Sequence, residues 1–252
     1  TSPKIPGKVT RIGQNAFNNC KKLTSVIFEP SITGAKLTIG KGAFQKSGLT
    51  YLDIPERVAV VEQDAFANCL SLASVTVESS TTPLTIGSPN TAVSGDHPFY
   101  DSNNITTLIL NRELAKAHAN VPMALFKNHS RLANVQLSEQ VKSIYDEMFY
   151  NTGIQTITIP GSVTLIEENA FSACENLTTV TFEPNSSNTP LTIDVQSKYI
   201  NYTPFYDSNN ITTLNINREL VAIDEYMPMA LFMNHSRLAN INIGAQMKTI
   251  HR

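Results

Sequence analysis

Apolar residues recur along this chain in one fixed order of spacings. Across 163–184 they fall at Val163, Ile166, Ala170, Phe171, Cys174, Leu177, Val180 and Phe182. The same order appears at Val9, Ile12, Ala16, Phe17, Cys20, Leu23, Val26 and Phe28. It returns at Val58, Val61, Ala65, Phe66, Cys69, Leu72, Val75 and Val77. Aligned on their phenylalanines, nine such units fill the chain, and a partial tenth begins at Met247 and Ile250. In each unit a segment such as Leu-Thr-Thr-Val-Thr-Phe alternates apolar and polar residues, which predicts a strand with one buried face. The A-F-x-x-C segment puts apolar residues at i, i+1 and i+4 and predicts a short helical turn. The V-x-x-I segment predicts a second short extended piece. A unit of this size cannot bury its own apolar side, so units must stack. At ~4.8 Å per strand, nine stacked strands make a sheet roughly 40 Å long.

A longer repeat lies over the short one. Residues 98–137 and 204–243 align without a gap at an offset of 106, sharing PFYDSNNITTL, NREL, PMALF and NHSRLAN. This predicts duplication of a block of several units, with any binding feature of the block present twice.

The pattern I-x-x-x-A-F-x-x-C-x-x-L-x-x-V, seen at 166–180, resembles the BspA-type leucine-rich repeat of bacterial surface proteins. The first, third and seventh units match it closely. The fourth, fifth, eighth and ninth depart by insertions and by losing the cysteine. The resemblance covers nearly the whole chain. It implies an α/β repeat solenoid: a single right-handed leucine-rich-repeat domain over 1–252, with a parallel β-sheet of about nine strands and short helical turns and loops opposite. It also implies a location outside the cell or on its surface, and an adhesive role toward protein or glycan partners on host or neighbouring cells.

Composition narrows the partners. With 19 Lys and Arg against 21 Asp and Glu, the net charge is −2, and no basic cluster suits nucleic acid or an anionic membrane. No apolar run approaches the ~20 residues of a membrane span, so membrane insertion is not expected. The chain starts at Thr1 without Met and reads as trimmed or mature, so the missing signal sequence does not argue for the cytoplasm.

Candidate chemistry is sparse. The alignment stacks Cys20, Ser47, Cys69, Ser102, His129, Thr152, Cys174, Ser208 and His235 at one position. Cys20 and Cys69 are then two units apart, beyond disulfide reach, and the two histidines are about four units apart, so no zinc cluster forms. No H-E-x-x-H, G-x-S-x-G or phosphate-binding glycine loop is present, and no cofactor, metal or catalytic set is expected.

Two surfaces remain. The first is the outward face of the strands, which includes Tyr51, Asp53, Asn134, Gln136, Asn215, Asn240 and Asn242. It is almost uncharged. It either hydrogen-bonds a neutral polar partner, such as a glycan or a protein backbone, or simply packs as Thr and Asn do on a solvated sheet. The second comprises the insertions 88–98 and 194–204, which sit at the same point of the two copies and lead into Tyr100 and Tyr206. Tyr199 and Tyr202 make the second insertion aromatic, as contact surfaces often are.

The expectation is therefore a non-enzymatic binding module. The rivals are a structural spacer presenting another domain, and a carbohydrate-active enzyme using Asp96, Asp101, Asp207 or Glu113. The unfinished last unit predicts that the natural chain continues, or that copies self-associate through uncapped ends.

Overall fold

The computed structural model describes residues 2–87, 97–118, 123–194, 203–222 and 231–249. The fold is a parallel β-solenoid in which each turn contributes up to two strands and one turn segment. The face row comprises β1 (Lys4–Ile5), β3 (Ile27–Phe28), β5 (Tyr51–Ile54), β7 (Ser74–Val77), β9 (Thr107–Leu110), β11 (Asn134–Leu137), β13 (Thr156–Ile159), β15 (Thr179–Phe182), β17 (Thr213–Ile216) and β19 (Asn240–Ile243). The V-x-x-I pieces form a second row: β2 (Arg11–Ile12), β4 (Leu37–Ile39), β6 (Val58–Val61), β8 (Leu84–Ile86), β10 (Leu114–Lys116), β12 (Ser143–Ile144), β14 (Leu165–Glu167), β16 (Leu191–Asp194) and β18 (Leu220–Ala222).

The expected wall of about nine strands is the face row, the second extended pieces form the other row, and each row is broken rather than continuous. In the face row β5–β7–β9–β11 forms one sheet and β13–β15–β17–β19 another, with β1 and β3 paired separately. The second row breaks at the same level, between β10 and β12. Register is in step within each sheet, except for one shift between β4 and β6 at Leu37 and Thr38. Thr156 lies opposite Thr179, Thr179 opposite Thr213, and Thr213 opposite Asn240.

The expected helical turns are absent: among the described residues there is no helix. The reason is local. In 13–20 the backbone closes successive i to i−3 turns, from Ala16 to Gly13, Asn18 to Asn15 and Cys20 to Phe17. Asn15 and Asn19 take φ of 56° and 60°, left-handed values that interrupt a helical ladder. Asp64 and Asn68, Glu147 and Asn151, and Asn169 and Ala173 repeat the pair, and Asn and Asp tolerate this conformation best. Alternate N–H groups then point to the next turn. Phe17 donates to the Ala43 carbonyl at 2.7 Å, Phe44 to Ala65 at 2.7 Å, and Phe149 to Ala170 at 2.9 Å. The segment expected to be helical is a third hydrogen-bonded wall.

Between the walls the buried apolar residues form one continuous cluster from Ile5 to Leu231. Its spine is a column of phenylalanine rings: Phe17, Phe44, Phe66, Phe99, Phe126, Phe149, Phe171, Phe205 and Phe232. Neighbouring centroids are 5.0–5.5 Å apart, except across Phe126–Phe149, where the gap is 6.2 Å. That widest step coincides with the break in both rows. Glycine admits the tightest approach between turns. A Cβ on Gly48 would lie 2.1 Å from the Lys21 carbonyl, and one on Gly153 would lie 2.2 Å from the Ser130 carbonyl.

Where strand pairing stops, the turn wall still crosses the seam, with Phe126 N–H donating to the Met148 carbonyl at 3.0 Å, and side chains hold the rest. The Glu113 carboxylate accepts the Lys142 and Ser143 N–H groups, standing in for a strand neighbour. Lys116 reaches Asp146 at 2.6 Å and Glu167 at 2.7 Å, and lies 5.1 Å from the Tyr145 ring centroid. Tyr145 Oη donates to the Leu114 carbonyl at 3.0 Å. Burial, then the Glu113 charge, pushes the Tyr145 phenol up to about 12.

Candidate functional site

The aligned Cys/Ser/His position is a polar ladder inside the core. Five of its nine rungs bond the carbonyl of the preceding turn's phenylalanine, whereas Thr152 Oγ1 donates to Phe149 of its own turn. Cys69 Sγ donates to Phe44 at 3.2 Å, Ser102 Oγ to Phe66 at 2.7 Å, Cys174 Sγ to Phe149 at 3.1 Å, and Ser208 Oγ to Phe171 at 2.7 Å. His129 Nε2 lies 3.2 Å from the Phe99 carbonyl, and Nδ1 lies 3.1 Å from that of Lys127. All three cysteines are free thiols. Burial pushes the Cys69 and Cys174 thiols up, opposite to what a nucleophile needs. Burial also holds the His129 imidazole below its usual range. Among the described residues, no three His, Cys, Asp or Glu side chains are grouped to hold a metal ion. The ladder serves the fold, because a small donor satisfies a carbonyl that the turn leaves bare.

Arginine does the same work at the strand-to-strand corners, and the sequence did not announce it. Arg112 and Arg218 are 0% exposed. Arg112 donates to the carbonyls of Val58 at 2.8 Å, Thr82 at 2.6 Å and Pro83 at 3.3 Å. Arg218 donates to Pro160, Gly161 and Thr189. Arg57 donates to Ile5, Pro6 and Val9. Burial lowers all three guanidinium pKa values. The recurring Arg in N-R-E-L and P-E-R-V, always just before a second-row strand, was the available signal.

The candidate surface residues divide between two walls. Tyr51 and Asp53 lie exposed on β5, and Asn134 and Gln136 lie exposed on β11. Asn215, Asn240 and Asn242 lie together on β17 and β19, where they spend part of their hydrogen bonding on the sheet itself. Asn242 donates to Asn215 Oδ1 at 2.7 Å, and Asn215 donates to Thr181 Oγ1 at 3.0 Å. Tyr100 and Tyr206 stand instead on the turn wall, directly after core phenylalanines. Tyr100 is 47% exposed and Tyr206 is half-buried. Tyr199 and Tyr202, most of both insertions, and Asp96 lie outside the described residues. Of the acids considered for catalysis, Asp101 and Asp207 are exposed turn residues with φ of 54° and 58°, while Glu113 is spent on the seam.

Stacked units with this core have a counterpart among known sequences. The profile of the BspA type leucine rich repeat region, in six copies, matches residues 1–89, 92–191 and 179–252. The chain belongs to the BspA-type leucine-rich-repeat family. A solved leucine-rich repeat protein from Bacteroides ovatus ATCC 8483 is 20% identical, with a TM-score of 0.58, over 98% of this chain and 62% of that one. This BspA-type chain therefore spans somewhat under two thirds of that relative's length. A leucine rich cell surface protein from Faecalibacterium prausnitzii A2-165 is 17% identical over 96% of this chain and 59% of its own, with a TM-score of 0.34. No curated protein sequence matches.

Proposed function

We propose that this BspA-type chain is a non-enzymatic recognition module that works on the cell surface or outside the cell, binding a protein or glycan of a host or neighbouring cell. The observation that carries this reading is the outward face of β5–β19. Within each of its two sheets every turn presents the same two positions in register, and Asp53 is the only charged residue among them. Such a face suits a neutral, hydrogen-bonding partner, because hydroxyls and amides cost less to desolvate than ions and each turn offers a group that can hydrogen-bond the partner in exchange. Family membership supports the extracellular location.

An array of glycans and extracellular-matrix proteins tests the proposal. The chain is compared with a variant in which 88–96 and 194–203 are replaced by short Gly/Ser linkers. A ligand retained by the variant puts recognition on the walls. A ligand lost puts it on the insertions. No ligand at all overturns the reading in favour of a spacer that presents another domain.

A further inference from the structure

The turn wall carries a feature that the sheet face does not. The residue after each core phenylalanine stands on this wall, and on alternate turns from Phe99 to Phe205 it is a tyrosine: Tyr100, Tyr150 and Tyr206. The phenylalanines before Tyr100 and Tyr150 are separated by two stacking steps, of 5.2 and 6.2 Å. Those before Tyr150 and Tyr206 are separated by two steps of 5.3 Å each. The tyrosines therefore recur every second turn, roughly 10 Å apart on the ~4.8 Å strand spacing.

The row is held in place and edged with polar groups. Lys127, on the turn between Tyr100 and Tyr150, lies 5.0 Å from the Tyr150 centroid and is fixed by Glu147 at 2.7 Å. Alongside run Asp101, Asn128, Asn151 and Asp207, all exposed, with Asn151 Nδ2 donating to Asn128 Oδ1 at 3.0 Å. Each sits in the left-handed conformation that gives the wall its shape. Between Tyr150 and Tyr206 the wall steps down to the buried Ser172.

We propose that this row binds an extended, neutral β-linked polysaccharide, and the inference rests on the recognition role above. In such a chain every second sugar presents the same apolar face to the same side, at a repeat comparable to two turns of the solenoid. Tyrosine ring faces, at Tyr150 the one that Lys127 does not cover, match apolar sugar faces, and carboxylates and amides beside them accept hydrogen bonds from the equatorial hydroxyls. A protein partner would more naturally seek a clustered, desolvated anchor than a spaced row.

Affinity electrophoresis of the whole chain tests this in gels containing hydroxyethylcellulose, mixed-linkage β-glucan or galactomannan, with α-linked amylopectin as control. Retardation is expected in at least one β-linked gel and not in amylopectin. Tyr100→Ala and Tyr150→Ala should each weaken it about threefold to tenfold, and the triple variant with Tyr206→Ala should abolish it. Circular dichroism establishes that the variants fold. In titrations with the matching oligosaccharides, a hexasaccharide should bind more tightly than a disaccharide. No retardation in any β-linked gel, equal retardation in amylopectin, or retardation unchanged in a folded triple variant overturns the inference. If the matrix-protein array still gives a ligand in that case, the recognition role survives without the polysaccharide.

Discussion

Glu113 and Glu219, 106 residues apart, make the same pair of contacts. Glu113 accepts the backbone N–H groups of Lys142 and Ser143, and Glu219 accepts those of Lys248 and Thr249. In both places a carboxylate replaces a strand. The long sequence repeat is therefore visible as a repeated joint, and the first of the two joints falls where both strand rows break.

Glu113→Ala leaves two backbone donors without their acceptor. A loss of about 1 kcal/mol in urea unfolding is expected, because water can replace the carboxylate at the exposed Lys142 N–H and only the Ser143 donor is partly buried. Hydrogen exchange at Lys142 and Ser143 should rise ahead of the rest of the chain. Uniform exchange would show that the carboxylate does not hold the joint.

Two kinds of buried group should drive stability in opposite directions with pH. Burial raises the Glu113 and Glu167 carboxyls above the ordinary 4.5. The folded chain therefore binds more protons than the unfolded one in that window, and this contribution to stability grows as pH falls from neutral toward 4.5. His129 is the reverse. Burial lowers its pKa, so the unfolded chain takes up the proton first, and its contribution is lost as pH falls below 6.5. Urea midpoints between pH 7.5 and 4.5 for wild type, Glu113→Gln and His129→Asn separate the two. The difference curves against wild type should slope in opposite senses.

Arg112→Met should cost more than a typical core substitution, because it strips donors from the Val58, Thr82 and Pro83 carbonyls at once. A loss of about 3 kcal/mol is expected, and it should appear as a fall in Tm of roughly 6–12 °C for a chain of this size. Arg112→Lys recovers only part of it, since one ammonium cannot span three carbonyls. A full recovery by lysine would argue that charge matters here and the fork does not.

Iodoacetamide should find one cysteine. Cys20 is half-buried, whereas Cys69 and Cys174 are fully buried and their thiols are held protonated. Mass spectrometry of the native chain should show Cys20 alkylated first, with the other two reacting only in denaturant. Early labelling of Cys69 would show that the ladder opens on its own.

The strands, the ladder and the phenylalanine column were legible because burial imposes spacing, and spacing survives in a single sequence. The turn wall was not. Its i, i+1, i+4 apolar pattern fits a helical turn, and the contrary signal was the Asn or Asp standing just before Ala16, Ala65 and Ala170 and again before Cys20 and Cys69. Glu113, named among the possible catalytic acids, misled in another way. An acid between repeats suggests chemistry, and here it serves as a backbone acceptor, just as the neighbouring Arg112 serves as a backbone donor. Among the surface candidates, Tyr100 and Tyr206 came to notice through their insertions. Tyr150 did not, because aligning units by apolar positions ignores the residue just after the phenylalanine.

A column of rings has no middle. Each phenylalanine between the two ends meets one ring above and one below, so apart from the wider step at Phe126–Phe149 no turn is privileged and the core sets no final length. Whole turns can be gained or lost while the rest keep their contacts, as the 106-residue copy illustrates. By the same token an injury to one turn stays between its two neighbours. Such a molecule evolves by the metre: its reach can change without its being redesigned.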